Sequence, residues 1–344
     1  MAKARPAKGD IKQHAEVVAL RTMIIRLQRQ LREAKGRVED LVAATYEGAR
    51  DGYLVVPRTE LRRAPLSTSR GKPEVALWHL TDWQGGKRTP SYNSTVMRKR
   101  VQLFWDKAEK ITAIQRKDHP VDQCVILFGG DMVEGLFNFP SQVHEIDSTL
   151  HMQWETVSQL VIETIERALQ IYRYVRVVAE WGNHGKIGHH RDGVPRHDNI
   201  DRMVYTHARA RLQERKLGGA LIWEDSAEDI QRVQIGDYRA LLIHGDEIGR
   251  RGYASPMTIV AWVVRQKSGA YPWPFRDVYM GHYHTHAEWP LPDGAGAVYQ
   301  SGSTESSNRY AGVFMAAQAT PSQRLHFIDP AKGRVASQYK VFLE

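Results

Sequence analysis

The sequence predicts an α/β fold in which two sheets pack together with helices outside. Two observations carry this. Apolar runs alternate with amphipathic helical stretches from residue 75 to about 215, and strands dominate after residue 230. A third gives the fold a purpose: five apolar runs each end in a polar cluster. These are Thr81-Asp82-Trp83-Gln84, Gly130-Asp131, Gly182-Asn183-His184, His244-Gly245-Asp246 and Gly281-His282-Tyr283-His284.

Composition sets the bounds. The chain has 344 residues, 42% of them hydrophobic, and nine Trp, enough for a substantial core. Its single cysteine, Cys124, excludes an intrachain disulfide and fits a reducing compartment. The N-terminus lacks the apolar segment of a signal peptide, and no apolar run approaches the ~20 residues that span a bilayer, so a soluble, cytoplasmic protein without a membrane partner is expected. The net charge of +9 is uneven: residues 1–72 hold 16 Lys and Arg against 8 Asp and Glu, and the remainder is nearly neutral. Any polyanion-seeking tail is therefore the N-terminal arm.

In chain order, residues 1–50 read as a basic helix. Val17, Leu20, Ile24, Leu27, Leu31, Ala34, Val38 and Leu41 form a heptad seam. That seam reads equally as a coiled coil joining two copies through residues 17–45 or as an amphipathic helix packed on its own body. Residues 51–73, with Pro57, Pro65, Gly71 and Pro73, read as a linker or strap, and residues 74–344 as the main domain. Strands are expected at 75–81, 121–128 and 174–181, and helices near 94–117, 148–170 and 198–215. Gly236-Asp237 and Pro292-Asp293-Gly294 mark hairpin turns.

The strand-end clusters supply Asp, Gln, Asn and His, a mixture of oxygen and nitrogen ligands sufficient for two divalent ions, with Asp131 between them. Their order and spacing resemble the calcineurin-like metallophosphoesterases over roughly residues 74–310. That resemblance implies a four-layer α/β/β/α sandwich. It implies Asp82, Gln84, Asp131 and His284 around a first ion, and Asp131, Asn183, His244 and His282 around a second. His184 matches the family's substrate-facing catalytic histidine, and a metal-bridging hydroxide would attack phosphorus in line. Gln84 stands where the family usually has His, which points to a looser first site or to harder ions. Manganese is the expected metal, with zinc, iron, magnesium and nickel as alternatives. Gln at this position is a mark of phage and prophage relatives. Gly-Asp-Met-Val-Glu-Gly lacks the Asp-Arg of protein phosphatases, and Gly185 replaces their Glu; both differences argue against a phosphoprotein substrate. Glu134 reads as a supporting group, and His286 as an exposed strand residue or, less favoured, a further ligand.

Basic residues cluster in the adjoining loops: Lys87, Arg88, Arg98, Lys99 and Arg100, then Lys186, Arg191 and Arg196. Lys87, Arg88, Arg98, Arg100, Lys186 and Arg191 are the expected substrate contacts. Tyr253, Trp262, Tyr271, Trp273 and Phe275 could stack bases or simply pack. The leading expectation is a nuclease similar to the SbcD-like DNA-repair exonucleases, with DNA as partner. Phosphodiesterase action on cyclic or other small nucleotides is the alternative. A non-catalytic, metal-bearing assembly protein is the third reading.

Overall fold

The structure is a computed structural model. It describes Met23, Ile24, Arg26, Gln28, Arg29 and Leu61, and residues 64–344 apart from 139–141, 189–194, 216, 225, 227, 249–253, 293, 295 and 306–319. Two compact units divide at Thr59 and Glu60. In the first, the five described residues are helical and exposed. The heptad seam of residues 17–45, and with it the expected dimer, otherwise lies outside the described residues.

The second unit begins with a strap. Ala64 is buried and donates its amide to the Leu169 carbonyl, and the Ser67 amide bonds to Asp122. Then β1 (Val75–Leu80), α1 (Ser94–Gln115), β2 (Gln123–Gly129), α2 (Leu150–Ile171), β3 (Tyr174–Glu180), α3 (Ile200–Gln213) and β4 (Leu221–Glu224) alternate. Strands β1 to β4 pair in parallel. Each helix starts on a side-chain cap, Asn93, Thr149 and Asn199, whose oxygen accepts an amide of the first turn. Their buried stripes, such as Val101, Phe104 and Ala108 of α1, cover the sheet. Trp78 of β1 meets Phe104 of α1 edge-on at 5.3 Å and Tyr172 at 5.7 Å.

Strands β5 (Gln231–Ile235), β6 (Tyr238–Leu242), β7 (Asp277–Met280), β8 (Ala287–Pro290) and β9 (Ala297–Gln300) form the second sheet, ordered β5-β6-β7-β9-β8. Helix α4 (Pro256–Arg265) packs Ile259 and Val263 on its outer face, against Leu241, Ile243, Val278 and Val298. The inner faces of both sheets share one core, with Leu77, Val125, Leu127 and Val178 meeting Val233, Ala240, Leu242 and Tyr279. The layers are therefore α/β/β/α, as expected.

One element departs from the sequence order. The last strands, β10 (Ser322–Asp329) and β11 (Arg334–Phe342), do not extend the second sheet. They return to the first, giving the order β11-β10-β1-β2-β3-β4, with β10 antiparallel to β1. β1 is buried along its whole length and needs a partner on each edge, which the hairpin supplies. Among the described residues no helix is long and apolar enough to cross a membrane.

Candidate metal centre

The strand-end clusters converge where β1, β2, β3, β6 and β7 finish, the end of an open α/β sheet at which ligands bind. Backbone bonds lace the loops together. The Asp82 amide donates to the Gly130 carbonyl at 2.9 Å, Gln84 to Asp131 at 2.9 Å and Gly281 to His244 at 2.9 Å. Among the described residues, the non-glycine positions with positive φ are Asp82, Gln84, Asp131, His282 and His284. Each belongs to the expected ligand set. Left-handed backbone costs on the order of 1 kcal/mol or more per residue, so the loops hold these side chains at an energetic expense that packing alone does not require.

Asp131, His244 and His282 form one group whose ligand atoms all lie within 4.8 Å. His244 Nδ1 lies 2.8 Å from the Gly129 carbonyl, which can only accept, so that nitrogen carries the hydrogen. In the neutral ring, Nε2 is then a lone pair. It faces three more acceptors: Asp131 Oδ2 at 3.0 Å, Asn183 Oδ1 at 3.1 Å and His282 Nδ1 at 3.3 Å. Asp131 Oδ2 is buried and has no hydrogen-bond donor. With His244 neutral, these atoms converge as acceptors and fit a cation. Without a metal ion, a proton on His244 supplies the positive charge at the same place. Burial works against ionising both Asp131 and His244, yet each holds the other's charge: the aspartate is pushed far below its ordinary range and the histidine well above. Burial, with the nearby His244 charge, pulls His282 down to about 4, so it offers a lone pair.

Asp82, Gln84 and His284 stand beside this group. His284 Nε2 lies 3.4 Å from Asp82 Oδ1 and 3.1 Å from Gln84 Nε2. The Asp82 carboxylate also accepts the His282 amide, at 3.0 Å, and the Thr81 hydroxyl, at 2.8 Å. The expected ligands are thus brought together as two neighbouring groups. His286 joins neither: it lies near Arg324 and Lys340, and burial followed by these two charges lowers its pKa to about 3.

His184 borders the centre. Its amide donates to Asp131 Oδ1 at 2.7 Å, its Nδ1 lies 3.1 Å from Glu134 Oε2, and its Nε2 is 3.9 Å from Asp131 Oδ2. Burial opposes a charge on this ring, but Glu134 and Asp131 outweigh it and raise its pKa. Glu134 is thereby the group that orients His184.

Three supporting residues were not expected. Asp201, buried at the start of α3, accepts the amides of Met132 and Val133 on one oxygen and of Gly182 on the other, at 3.1, 3.2 and 3.0 Å. Burial, then the Asp131 charge, push it up to about 6. Asn199 bonds the Gly182 carbonyl at 2.6 Å. Glu305 lies 3.1 Å from His284 Nδ1 and, held by Lys87 against the effect of burial, falls to about 2. Glu305 closes the run Ser301-Gly302-Ser303-Thr304-Glu305 after β9, a sixth polar cluster behind a strand.

The basic loops differ from expectation. Lys87 is buried; its ammonium donates to Gln84 Oε1 at 2.9 Å and pairs with Glu305 at 3.3 Å and Glu134 at 3.8 Å. A buried ammonium already neutralised by two carboxylates cannot grip a phosphate from solvent, so Lys87 is not a substrate contact. Arg98 is bonded to Glu163 of α2 at 2.5 Å, and Arg100 to the Thr304 carbonyl at 2.7 Å. Arg196 meets Asp246 at 3.0 Å and Glu247 at 2.6 Å. Arg88 is exposed and Lys186 half-buried. Arg191 and Tyr253 lie outside the described residues. Trp262, Tyr271 and Trp273 pack against the core beneath α4, and Phe275 is part of it.

No protein-family profile and no curated protein matches the sequence. Among solved structures, the chain is similar to wild-type Vps29 complexed with zinc from Entamoeba histolytica, at 13% identity and a TM-score of 0.36. That match covers 78% of this chain and 99% of the other. It is similar to a hypothetical protein from Pyrococcus horikoshii, at 13% identity and 0.39, covering 78% and 89%. It is also similar to a conserved uncharacterized protein, a predicted phosphoesterase, from Streptococcus pneumoniae, at 10% identity and 0.30, covering 78% and 98%. The fold stands on the strand order and layers of this chain itself.

Proposed function

We propose that this protein is a metal-dependent phosphodiesterase acting on nucleic acid, with two ion positions that share Asp131. The observation that carries the reading is the convergence of Asp131 Oδ2, Asn183 Oδ1, His244 Nε2 and His282 Nδ1 on one point. Those four residues would hold one ion; Asp82, Gln84 and His284, with Asp131, would hold the other. Bound divalent ions polarise a phosphoryl group and activate water at neutral pH.

The rest falls to the chain's own side chains. His184, held through Nδ1 by Glu134, turns Nε2 toward the centre and keeps its proton because the neighbouring carboxylates outweigh its burial. It is placed to donate that proton to the leaving oxygen. Arg88 and Lys186 flank the site from the loops after β1 and β3 and supply charge for the phosphate backbone. Phe137 and Val143 are exposed on the loop whose Gln142 lies 3.3 Å from His184 Nδ1, and their apolar surface suits an unstacked base. These features support a nucleic-acid substrate.

The deciding experiment is digestion of end-labelled single- and double-stranded linear DNA with manganese, beside Asp131→Asn. Cleavage by the wild type alone supports the proposal. Intact DNA together with hydrolysis of a cyclic nucleotide or chromogenic diester would move the substrate to small molecules. Loss of all three activities would overturn it.

A further inference from the structure

Four side chains on the Asp82 side close into a ring. Lys87 Nζ donates to Gln84 Oε1 at 2.9 Å, and Gln84 Nε2 faces His284 Nε2 at 3.1 Å. His284 Nδ1 meets Glu305 Oε2 at 3.1 Å, and Glu305 Oε1 returns to Lys87 at 3.3 Å. The local sequence dictates the first contact. Gln84-Gly85-Gly86-Lys87 is a tight turn in which the Lys87 amide donates to the Gln84 carbonyl, and Gly86, at φ 95°, allows the reversal. The turn brings the lysine stem back over its own first residue.

The ring fixes which way the amide points. An ammonium only donates, so it must take the oxygen of Gln84. One lone pair of the oxygen able to bind a metal is thereby taken, and an N–H is turned toward His284. In the Asp131, Asn183, His244 and His282 group the His184 amide takes Asp131 Oδ1 and leaves Oδ2 facing His244, with no ammonium among the described residues against it.

We propose that this ring is a latch that makes the two ion positions unequal. The Asp131–His244 position fills first, and the Asp82–His284 position fills only when Lys87 gives up the Gln84 oxygen and the amide turns over. The inference rests on the two-ion reading above and adds an order and a gate to it. It also gives Lys87 and Glu305 the role of positioning residues.

The test is calorimetric titration of the chelator-treated full chain with manganese alone, no substrate present, with metal analysis of the gel-filtered product. Wild type is expected to bind two ions in separate phases, the second about tenfold or more weaker than the first. Lys87→Met frees the amide oxygen and removes the competing cation, and should bring the phases together. Gln84→His removes the oxygen that Lys87 holds and supplies a ring nitrogen, and should do the same if Lys87→Met does not fold. Two ions of equal affinity in the wild type would overturn the latch, as would a second phase unmoved in both variants. A single ion in every chain would overturn the latch and the second position together. DNA cleavage by that one-ion protein would still uphold the phosphodiesterase reading, so the two failures are told apart.

Discussion

Gly182 lies against the carboxylate of Asp131 so closely that a Cβ built on it would fall 2.1 Å from Oδ1. The glycine is a spacer for the carboxylate that the two proposed ion positions would share. Gly182→Ala is therefore expected to displace Asp131 while every proposed ligand residue is retained, and to weaken metal binding by about tenfold or more while the circular dichroism spectrum stays wild type. Retained affinity would show that the loop can move aside.

Asp201 ties the loops after β2 and β3 by accepting three amides. Asp201→Ala leaves those amides buried and without an acceptor, at about 1–3 kcal/mol for each group. A lower melting temperature and a lower metal affinity are expected together. A variant with normal stability and normal metal content would show that the clamp is redundant.

Glu134 gives a pH prediction with a definite sign. Its carboxylate favours the protonated form of His184, so the folded-state pKa lies above 6.5. If His184 donates a proton to the leaving group, activity is full below that raised value and falls as pH rises through it. Glu134→Gln removes part of the stabilisation, so the alkaline limb of kcat should move to lower pH. His184→Ala should abolish the limb. An alkaline limb unchanged in both variants would assign it to another group.

The proposed nucleic-acid substrate would be gripped by fewer cations than the sequence offered. Arg88→Ala and Lys186→Ala should raise KM for DNA, and each should lower the slope of log affinity against log salt by about one unit. Arg98→Ala, which breaks a pair with Glu163 on the helical face, should leave that slope unchanged. Equal effects from all three would point to general surface charge.

The convergence of the strand-end clusters was legible because each follows a buried apolar run, and such a run can end in polar side chains only where they have partners. Asp201 gave no such signal: an acid in the first turn of a helix is ordinary, and only the fold reveals three amides around it. Lys87 misled for the same reason in reverse. A lysine beside an arginine reads as a solvated charge, and nothing in the local sequence reports that Glu134 and Glu305 come to it from loops after β2 and β9. The placement of the last hairpin was hidden too. β10 is buried at every position, yet Gln323, Arg324 and His326 give it the pattern of a half-exposed strand. Their burial is bought by partners: Gln323 bonds both backbone groups of Thr81, and Arg324 the carbonyls of Ala287 and Gln300.

That hairpin also sets when the loop after β1 gains its support. Gln323 holds the residue immediately before Asp82, and the strand carrying it completes the edge of β1. Synthesis runs from the N-terminus at about 5–20 residues per second, so the loop bearing Asp82 and Gln84 is made many seconds before its brace. A ribosome-bound chain that ends short of β10 has every proposed ligand and lacks the support that holds Asp82 in its left-handed turn. The loop bearing Asp82 and Gln84 is therefore braced only once β10 has been made and paired with β1.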